Sequence, residues 1–460
     1  MMERKNAWKE YSPTEITQLE KLCKDYREFL DAGKTERECV EEIIKLVKAA
    51  GYEDLEQIKK NGKKLKSGDK VYATCMKKTI ALFHIGTKPI QEGMNILGAH
   101  IDSPRLDLKQ NPLYEEQGFA YLDTHYYGGI KKYQWVTIPL AIHGVVVKKD
   151  GTTIHVVIGE KEEDPVFCIT DLLVHLSQEQ LEKKARKVIE GEDLNIIFGS
   201  QPLKGIEKEA VKENILKLLK ETYDFEEEDF ISAELEVVPA GKARESGFDR
   251  SMILAYGQDD RVCAYTSIVA MLEQEQPTTT SCCLLVDKEE IGSVGATGMR
   301  SNFFENTVAE LLDALDEYTE LTLRRTLANS KMLSSDVSAA YDPTYGSAFE
   351  KKNTAYFGKG MVFNKFTGSR GKSGSNDANA EYIAQLRRIM DDNNVCYQTA
   401  ELGKVDLGGG GTIAYILSLY GMEVIDSGVA VLSMHAPWEM TSKADIYEAK
   451  KGYLAFLKDA

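Results

Sequence analysis

The chain has 460 residues, of which 43% are hydrophobic and 28% are charged, as is typical of globular proteins. This length predicts two domains. The formal net charge of −16 argues against a general nucleic-acid-binding protein, which needs a basic face to contact phosphates. No apolar run approaches the ~20 residues that span a bilayer, and no apolar segment typical of a signal peptide follows the N-terminus. Eight scattered cysteines indicate reduced thiols, so we expect a cytoplasmic protein. From the charge and the short apolar runs, we expect neither nucleic-acid nor membrane partners.

The first hundred residues are predicted to form two helices and then three strands. Apolar side chains recur at helical spacing after Ser12-Pro13, and a second helix follows Thr35 and stops at Gly51. Strands are predicted at 71–75, 79–85 and 94–100.

The pattern changes between His100 and Asp259. Branched apolar residues at 135–147 and 152–158 flank a Lys-Asp-Gly turn, which predicts a β hairpin. The charged stretch that follows contains one predicted helix, at 207–222.

This middle region looks like an insertion. We therefore predict a β-rich domain formed by residues 106–249, inserted into a domain formed by residues 1–105 and 250–460.

Strands and helices alternate again after Met252. Such alternation predicts an α/β fold with a mixed, mostly parallel sheet flanked by helices, in which ligands bind at the carboxyl ends of strands. The predicted strands are 252–256, 281–286, a strand near 355–363 and 429–434, and the predicted helices are 260–272 and 306–316.

Four short segments place potential metal ligands at the ends of predicted strands. Two histidines and several carboxylates suit a pair of zinc-like ions bridged by a carboxylate, with one glutamate left as a base. The segments are Gly98-Ala-His-Ile-Asp102, Gly257-Gln-Asp-Asp-Arg261, Asp287-Lys-Glu-Glu-Ile-Gly292 and Ser433-Met-His-Ala-Pro437.

Each of these segments also has a purely structural interpretation. A histidine at a strand end can simply be hydrogen-bonded, Asp259 or Asp260 can cap a helix, and Asp336 lies in a polar turn. Six to seven potential metal ligands at strand ends are too many to be a coincidence. We therefore favour the interpretation that they form one metal site. The glycines at 408–411 are expected to open a helix, either touching the substrate backbone or only permitting close packing.

Spacing separates the roles within two of the segments. His100 and Asp102 are two residues apart and point to the same side of an extended chain, so Asp102 can orient the imidazole. Glu289 and Glu290 are adjacent and diverge, so one can bind metal while the other acts on water.

The segments His100-Ile-Asp102-Ser-Pro, Asp259-Asp260, Asp287-Lys-Glu-Glu290-Ile-Gly, Ser335-Asp336 and Met434-His435 resemble the aspartyl aminopeptidase and vacuolar aminopeptidase I family of dizinc metallopeptidases. The resemblance runs nearly the whole length. It implies a zinc-peptidase-like catalytic domain interrupted by a β-rich dimerisation domain. It also implies dimers that assemble into a tetrahedral homododecamer, and two divalent metal ions per subunit, zinc first, with cobalt or manganese as alternatives.

The resemblance also assigns roles to individual residues. His175, in Leu172-Leu-Val-His-Leu176, resembles a histidine that reaches a neighbouring subunit's active site. Lys365 is expected near the substrate; Gly409 and Gly410 are expected there because of the glycine run described above and not because of the resemblance. The other roles are His100, Glu290, Asp336 and His435 as terminal metal ligands, Asp259 as the bridging carboxylate, Glu289 as the general base and Asp102 as the residue that orients His100.

The predicted activity is removal of the N-terminal residue from peptides with a free N-terminus. The resemblance supports an aminopeptidase more strongly than a preference for acidic N-terminal residues. Two alternatives stay open: another co-catalytic zinc amidohydrolase, such as a carboxypeptidase or deacylase, and a non-catalytic scaffold of the same fold.

Overall fold

The computed structural model describes residues 5–460. These residues form two compact units. The larger comprises the described part of Met1–Asp102 together with Ala243–Met434 and Glu439–Ala460, and the smaller comprises Ser103–Lys242 and His435–Trp438. None of the helices in this part of the chain has the length and apolar character needed to cross a membrane.

The helices are α1 (Pro13–Ala32), α2 (Glu36–Ala49), α3 (Leu55–Lys60), α4 (Gln178–Leu181), α5 (Ala210–Tyr223), α6 (Gln258–Glu273), α7 (Phe303–Ala314), α8 (Glu320–Asn329), α9 (Ala380–Asp392), α10 (Ala414–Ser418) and α11 (Lys443–Asp459). The strands are β1 (Glu53–Asp54), β2 (Lys70–Cys75), β3 (Thr79–His84), β4 (Met94–His100), β5 (Arg105–Glu116), β6 (Phe119–Tyr127), β7 (Leu140–Val147), β8 (Thr153–Ile158), β9 (Ile196–Gly199), β10 (Ala233–Pro239), β11 (Arg244–Ser246), β12 (Met252–Ala255), β13 (Thr280–Val286), β14 (Lys331–Ser334), β15 (Ser338–Ala339), β16 (Met361–Asn364), β17 (Tyr397–Thr399), β18 (Glu423–Gly428), β19 (Ala430–Leu432) and β20 (Glu439–Ser442).

The two N-terminal helices begin where the sequence predicts. Ser12 and Glu15 form a capping box at the start of α1, and Thr35 and Glu38 form another at the start of α2. Each box satisfies backbone N–H groups that a helix start leaves without partners.

A nine-stranded sheet organises the larger unit, in the order β1-β2-β3-β13-β4-β14-β18-β16-β17. Its centre, from β13 to β18, is parallel, whereas β3 pairs with β13 and β16 pairs with β18 in antiparallel fashion. The prediction of a mixed α/β fold is confirmed. The prediction that the sheet is mostly parallel is met only in part, because apolar runs identify buried strands without fixing their direction.

Both faces of this sheet are buried, which explains its nearly continuous apolar strands. Successive side chains of β4 enter different cores: Leu97 packs in the cluster that contains residues of α6 and α11, and Ile96 in the cluster that contains residues of α7 and α8. Strand alternation thus divides the core into two layers.

Two further sheets complete the units. The larger unit contains the five-stranded sheet β11-β12-β20-β19-β15, and the smaller contains the six-stranded sheet β8-β7-β10-β5-β6-β9, whose pairings are antiparallel. The predicted hairpin corresponds to β7 and β8. Trp135 lies outside it, buried after a short helical turn. Whether the smaller unit mediates dimerisation stays a prediction.

Candidate active site

Three parallel strands bring most of the predicted site residues to one edge of the nine-stranded sheet. His100 ends β4, the central strand of the three. Glu289 and Glu290 follow β13 on one side of it, and Asp336 follows β14 on the other. Because parallel strands end at the same edge, residues far apart in sequence meet there.

The two aspartates follow β12 of the five-stranded sheet and lie in the first turn of α6. Gly257 occupies the N-cap position at the start of α6 and has a left-handed backbone. Both aspartates have non-helical backbone angles, and the peptide bond between them is cis. The N–H of Asp259 donates to Oε2 of Glu439, 3.0 Å away.

His100 presents its two ring nitrogens to different carboxylates. Nε2 lies 3.3 Å from Oδ1 of Asp259 and 3.9 Å from Oε2 of Glu289. Nδ1 lies 3.0 Å from the backbone oxygen of Asp102 and 3.3 Å from Oδ1 of the same residue. The imidazole is 1% exposed, so its orientation is fixed by these neighbours.

Asp102 also holds the turn that carries the two glutamates. Its Oδ1 accepts the backbone N–H of Glu289 at 3.1 Å, and its Oδ2 accepts that of Glu290 at 3.2 Å. One fully buried carboxylate therefore fixes both the imidazole and the adjacent acidic turn.

The ligand atoms of these residues are close enough to share cations. Within each of three groups, all the ligand atoms lie within 4.8 Å of one another. The groups are His100 with Asp259 and Glu290, His100 with Glu289 and Asp336, and Asp259 with Asp260 and Asp336.

The electrostatics of the cluster fit a bound cation. Burial raises the pKa of Asp260 and of Asp336 well above the usual value, and neighbouring carboxylates add to both shifts. Burial lowers the pKa of His100, but Asp102 and Asp259 outweigh it and the net shift is upward. Asp260 is fully buried, and within residues 5–460 neither of its carboxylate oxygens has a hydrogen-bond partner. A divalent metal ion would satisfy these oxygens and offset the mutual repulsion.

Two predicted site histidines lie in the smaller unit. Nδ1 of His435 is 2.9 Å from the backbone oxygen of Gly129. His175 is exposed, in the short helical turn Val174–Leu176. Neither belongs to the three groups above, so their roles stay predictions.

The residues predicted to contact substrate lie on two loops of the larger unit that touch each other. Lys365 is exposed immediately after β16. The N–H of Gly368 donates to the backbone oxygen of Gly410 at 2.6 Å. Gly409 has φ +109°, and a Cβ there would lie 2.0 Å from the oxygen of Gly368, so only glycine fits. The helix expected after these glycines is α10, which begins at Ala414.

Asp426 and Glu439 are buried acids that do not belong to the predicted site. Asp260 belongs to it only as an alternative to Asp259, although an adjacent acid pair is itself a signal. Asp426 interrupts the apolar strand β18, and Glu439 begins β20, four residues after the predicted ligand His435 in the sequence. A charged side chain in a buried strand marks a constrained site.

Comparison with known proteins agrees with this geometry. A family model described as "Aminopeptidase I zinc metalloprotease (M18)" matches residues 29–457. The chain is 64% identical over 460 residues to a probable M18 family aminopeptidase 1 of Clostridium acetobutylicum, covering 100% of this chain and 99% of the relative.

Solved structures show the same fold over the whole length. The crystal structure of an M18 family aminopeptidase from Thermotoga maritima matches with a TM-score of 0.96 and 45% identity, covering 100% of both chains. That of aminopeptidase I from Clostridium acetobutylicum matches with a TM-score of 0.93 and 63% identity, again covering 100% of both. The chain therefore belongs to the peptidase M18 family and is an aminopeptidase of the zinc metalloprotease class.

Proposed function

We propose that this aminopeptidase binds two divalent metal ions per subunit in the cluster around His100, and that the cluster removes the N-terminal residue of peptides. Zinc is the expected metal, with cobalt or manganese as alternatives. The observation that carries the proposal is that Asp259 belongs to one ligand group with Glu290 and to another with Asp336. A carboxylate shared in this way is suited to bridge two ions.

The remaining ligands are proposed on the same basis. His100, Glu290 and Asp336 are the terminal ligands within the larger unit, and His435 completes the set by family resemblance. Asp260 lies in the same group as Asp259 and Asp336, and its negative charge adds to the attraction for cations.

Glu289 is the proposed general base. It is followed by the proposed ligand Glu290, and its Oε2 lies 3.9 Å from Nε2 of His100, so it faces the same space as the ligands. A pair of divalent ions held by these residues would polarise the scissile carbonyl and would lower the pKa of a water molecule to ~7. Glu289 accepts the proton of that water and passes it to the leaving amine. Asp102 holds the backbone of Glu289 in place by accepting its N–H.

An acidic cluster also favours a substrate with a free N-terminus. The α-amino group is positively charged or metal-binding, and it lies next to the peptide bond that is cut. An N-acetyl group removes both properties. Lys365 and the loop that contains Gly409 and Gly410 are proposed to contact the substrate backbone.

A panel of matched peptides tests the proposed activity. Free dipeptides and their N-acetylated forms are incubated with the wild-type protein, with zinc, cobalt or manganese added after chelation. The expected result is release of the N-terminal residue from the free peptides alone. Release from the blocked peptides, or from their C-terminal ends, would identify a deacylase or a carboxypeptidase instead, and no turnover with any metal would indicate a non-catalytic scaffold.

Self-association into dimers, and of dimers into a dodecamer, is proposed as well. The surface of the smaller unit around His175 exposes large apolar side chains, with Val174 66% and Leu176 69% exposed. Such patches are typical of protein interfaces. A structure of S. cerevisiae mApe1, which shares the fold, is described as a dodecamer. Light scattering after gel filtration would test this assembly, and a mass that corresponds to a monomer would contradict it.

A further inference from the structure

Asp426 lies beside the proposed metal-binding residues without belonging to them. It is in register with Ser334 of β14 and with Asn364 of β16, so these residues share one face of the sheet. Ser334 is in register with Gly98, two residues before His100. Asp426 is therefore two strands away from β4, on the face to which His100 belongs, and it is absent from the three ligand groups found in the described residues.

Its environment is unfavourable for a carboxylate. Asp426 is 2% exposed, and its Oδ2 has no hydrogen-bond partner within the part of the chain that the structure describes. Burial raises the pKa of Asp426 to about 7, the hydrogen bond from Thr412 opposes this rise, and Glu289 adds to it. A buried acid of this kind destabilises the fold unless its contacts compensate, so the side-chain hydrogen bond that it accepts is an informative contact.

That contact is with Thr412, the residue that follows the glycines. The hydroxyl of Thr412 donates to Oδ1 of Asp426 at 2.5 Å. The same hydroxyl oxygen accepts the N–H of Ala414 at 3.4 Å, at the start of α10. Thr412 is therefore the point at which residues 408–411, called here the glycine segment, are tied to the central sheet.

Two backbone hydrogen bonds hold the glycine segment at other points. The N–H of Gly408 donates to the oxygen of Lys404, four residues earlier, at 2.8 Å, and the oxygen of Gly410 accepts the N–H of Gly368 from a second loop. Without side chains of its own, the segment contributes only backbone groups, and glycine backbones are conformationally free unless contacts hold them. Fixing Thr412 therefore limits how far the segment can move.

We propose that Asp426 is a positioning residue of the active site, which holds the glycine segment through the hydroxyl of Thr412 so that the segment's backbone groups can bind the substrate peptide. This inference rests on the proposed function. Asp426 itself touches neither substrate nor metal; it acts only by restricting the glycine segment.

Three substitutions distinguish the effect of the Thr412–Asp426 hydrogen bond from the effect of the negative charge on Asp426. Thr412→Val removes the donor, Asp426→Ala removes the acceptor, and Asp426→Asn keeps an acceptor oxygen while removing the charge near Glu289. Loss of one hydrogen bond corresponds to about a fivefold change in an equilibrium constant. We expect Thr412→Val and Asp426→Ala to raise KM for a dipeptide about fivefold with kcat within about twofold of wild type, whereas Asp426→Asn retains the wild-type KM. Ser334 is buried and in register with Asp426 on the adjacent strand β14. Ser334→Ala is the matched control and should leave KM unchanged.

Hydrogen exchange gives a second readout that does not need turnover. The amide of Gly408 should exchange about fivefold faster in Thr412→Val and Asp426→Ala than in wild type, Asp426→Asn or Ser334→Ala. Wild-type KM and wild-type exchange in Thr412→Val would overturn the inference, as would an Asp426→Asn variant as impaired as Asp426→Ala. If the wild-type protein hydrolysed no peptide, the proposed function would fail, and the exchange rates alone would still decide whether Asp426 fixes the glycine segment.

Discussion

Asp102 and Glu289 are joined by a hydrogen bond in which Oδ1 of the aspartate accepts the backbone N–H of the glutamate at 3.1 Å. The same carboxylate faces Nδ1 of His100 and accepts the N–H of Glu290. A single side chain thus links a proposed metal ligand, the proposed base and a second proposed ligand.

Asp102→Asn is expected to lower kcat/KM by ~10- to 10²-fold, the usual effect of losing a partner that orients a metal ligand. The amide has only one acceptor oxygen, so it cannot accept both backbone N–H groups of the turn. Steady-state kinetics at saturating zinc give the comparison. Asp391→Asn, an exposed aspartate on α9, is the control and should behave like wild type. Unchanged kinetics in Asp102→Asn would show that Asp102 does not position His100 or the two glutamates for the reaction.

Glu289→Gln and Glu290→Gln should separate base from ligand. Glu289→Gln should lower activity by at least ~10² while retaining the wild-type metal content, because it removes only the proton acceptor. Glu290→Gln should lower the metal content itself. Both variants are assayed for turnover and analysed for metal by mass spectrometry. Retained activity in Glu289→Gln would show that another group is the base.

Chelation should lower thermal stability as well as activity. Cations that bind only the folded chain stabilise it by about 2.7 kcal/mol at a free concentration one hundred times Kd, and their removal leaves the buried carboxylates of Asp260 and Asp336 to repel each other. Differential scanning calorimetry with and without chelator should show a lower Tm for the chelated protein, restored by zinc. An identical Tm in both conditions would argue that the cluster holds no structural cation.

Mixing two inactive variants tests whether His175 serves a neighbouring subunit. His175→Ala and Glu289→Gln subunits are each expected to be poorly active. After the two are mixed, dissociated and reassembled, hybrid dimers contain a site with both groups intact, so activity should rise above that of either variant. His155→Ala, an exposed histidine of the smaller unit, is the control and should be active alone. Full activity of His175→Ala would contradict the assignment.

The buried side chain of His84 should make the free energy of unfolding depend on pH. It is 3% exposed, and burial, followed by the nearby Lys70, lowers its pKa to about 4. The unfolded chain binds this proton near pH 6.5 and the folded chain near pH 4, so the free energy of unfolding should fall as pH drops between those values. Urea titrations across this range should show a shallower decline for His84→Gln than for wild type. Parallel declines would contradict the shifted pKa.

Most of the candidate site could be predicted because its residues follow apolar strands. His100 ends a predicted strand and Glu289 follows another, where an imidazole or a charged side chain is conspicuous. Asp336 lies in a polar turn and was identified only through the joint pattern and the family resemblance. The sequence did not show that Asp259 and Asp260 come from a different sheet, because an apolar run predicts a strand but not the sheet to which that strand belongs.

Other features depend on contacts that no local pattern reveals. The long strand β5 carries several charged side chains, and Asp123, Thr124 and His125 interrupt the apolar residues of β6, so both strands lack the apolar signature of β4. Asp426 is conspicuous as an acid within an apolar strand, but its role could not be predicted because it depends on Thr412, whose proximity is set by the packing of α10 on the sheet. Tertiary packing decides such positions.

Anomalous diffraction at the zinc edge from crystals of the zinc-loaded protein tests the central claim most directly. The account predicts two peaks per subunit, both within coordination distance of the Asp259 carboxylate, about 2.0–2.2 Å, one next to Glu290 and the other next to Asp336. A single peak, or peaks away from Asp259, would contradict the proposed bridged pair.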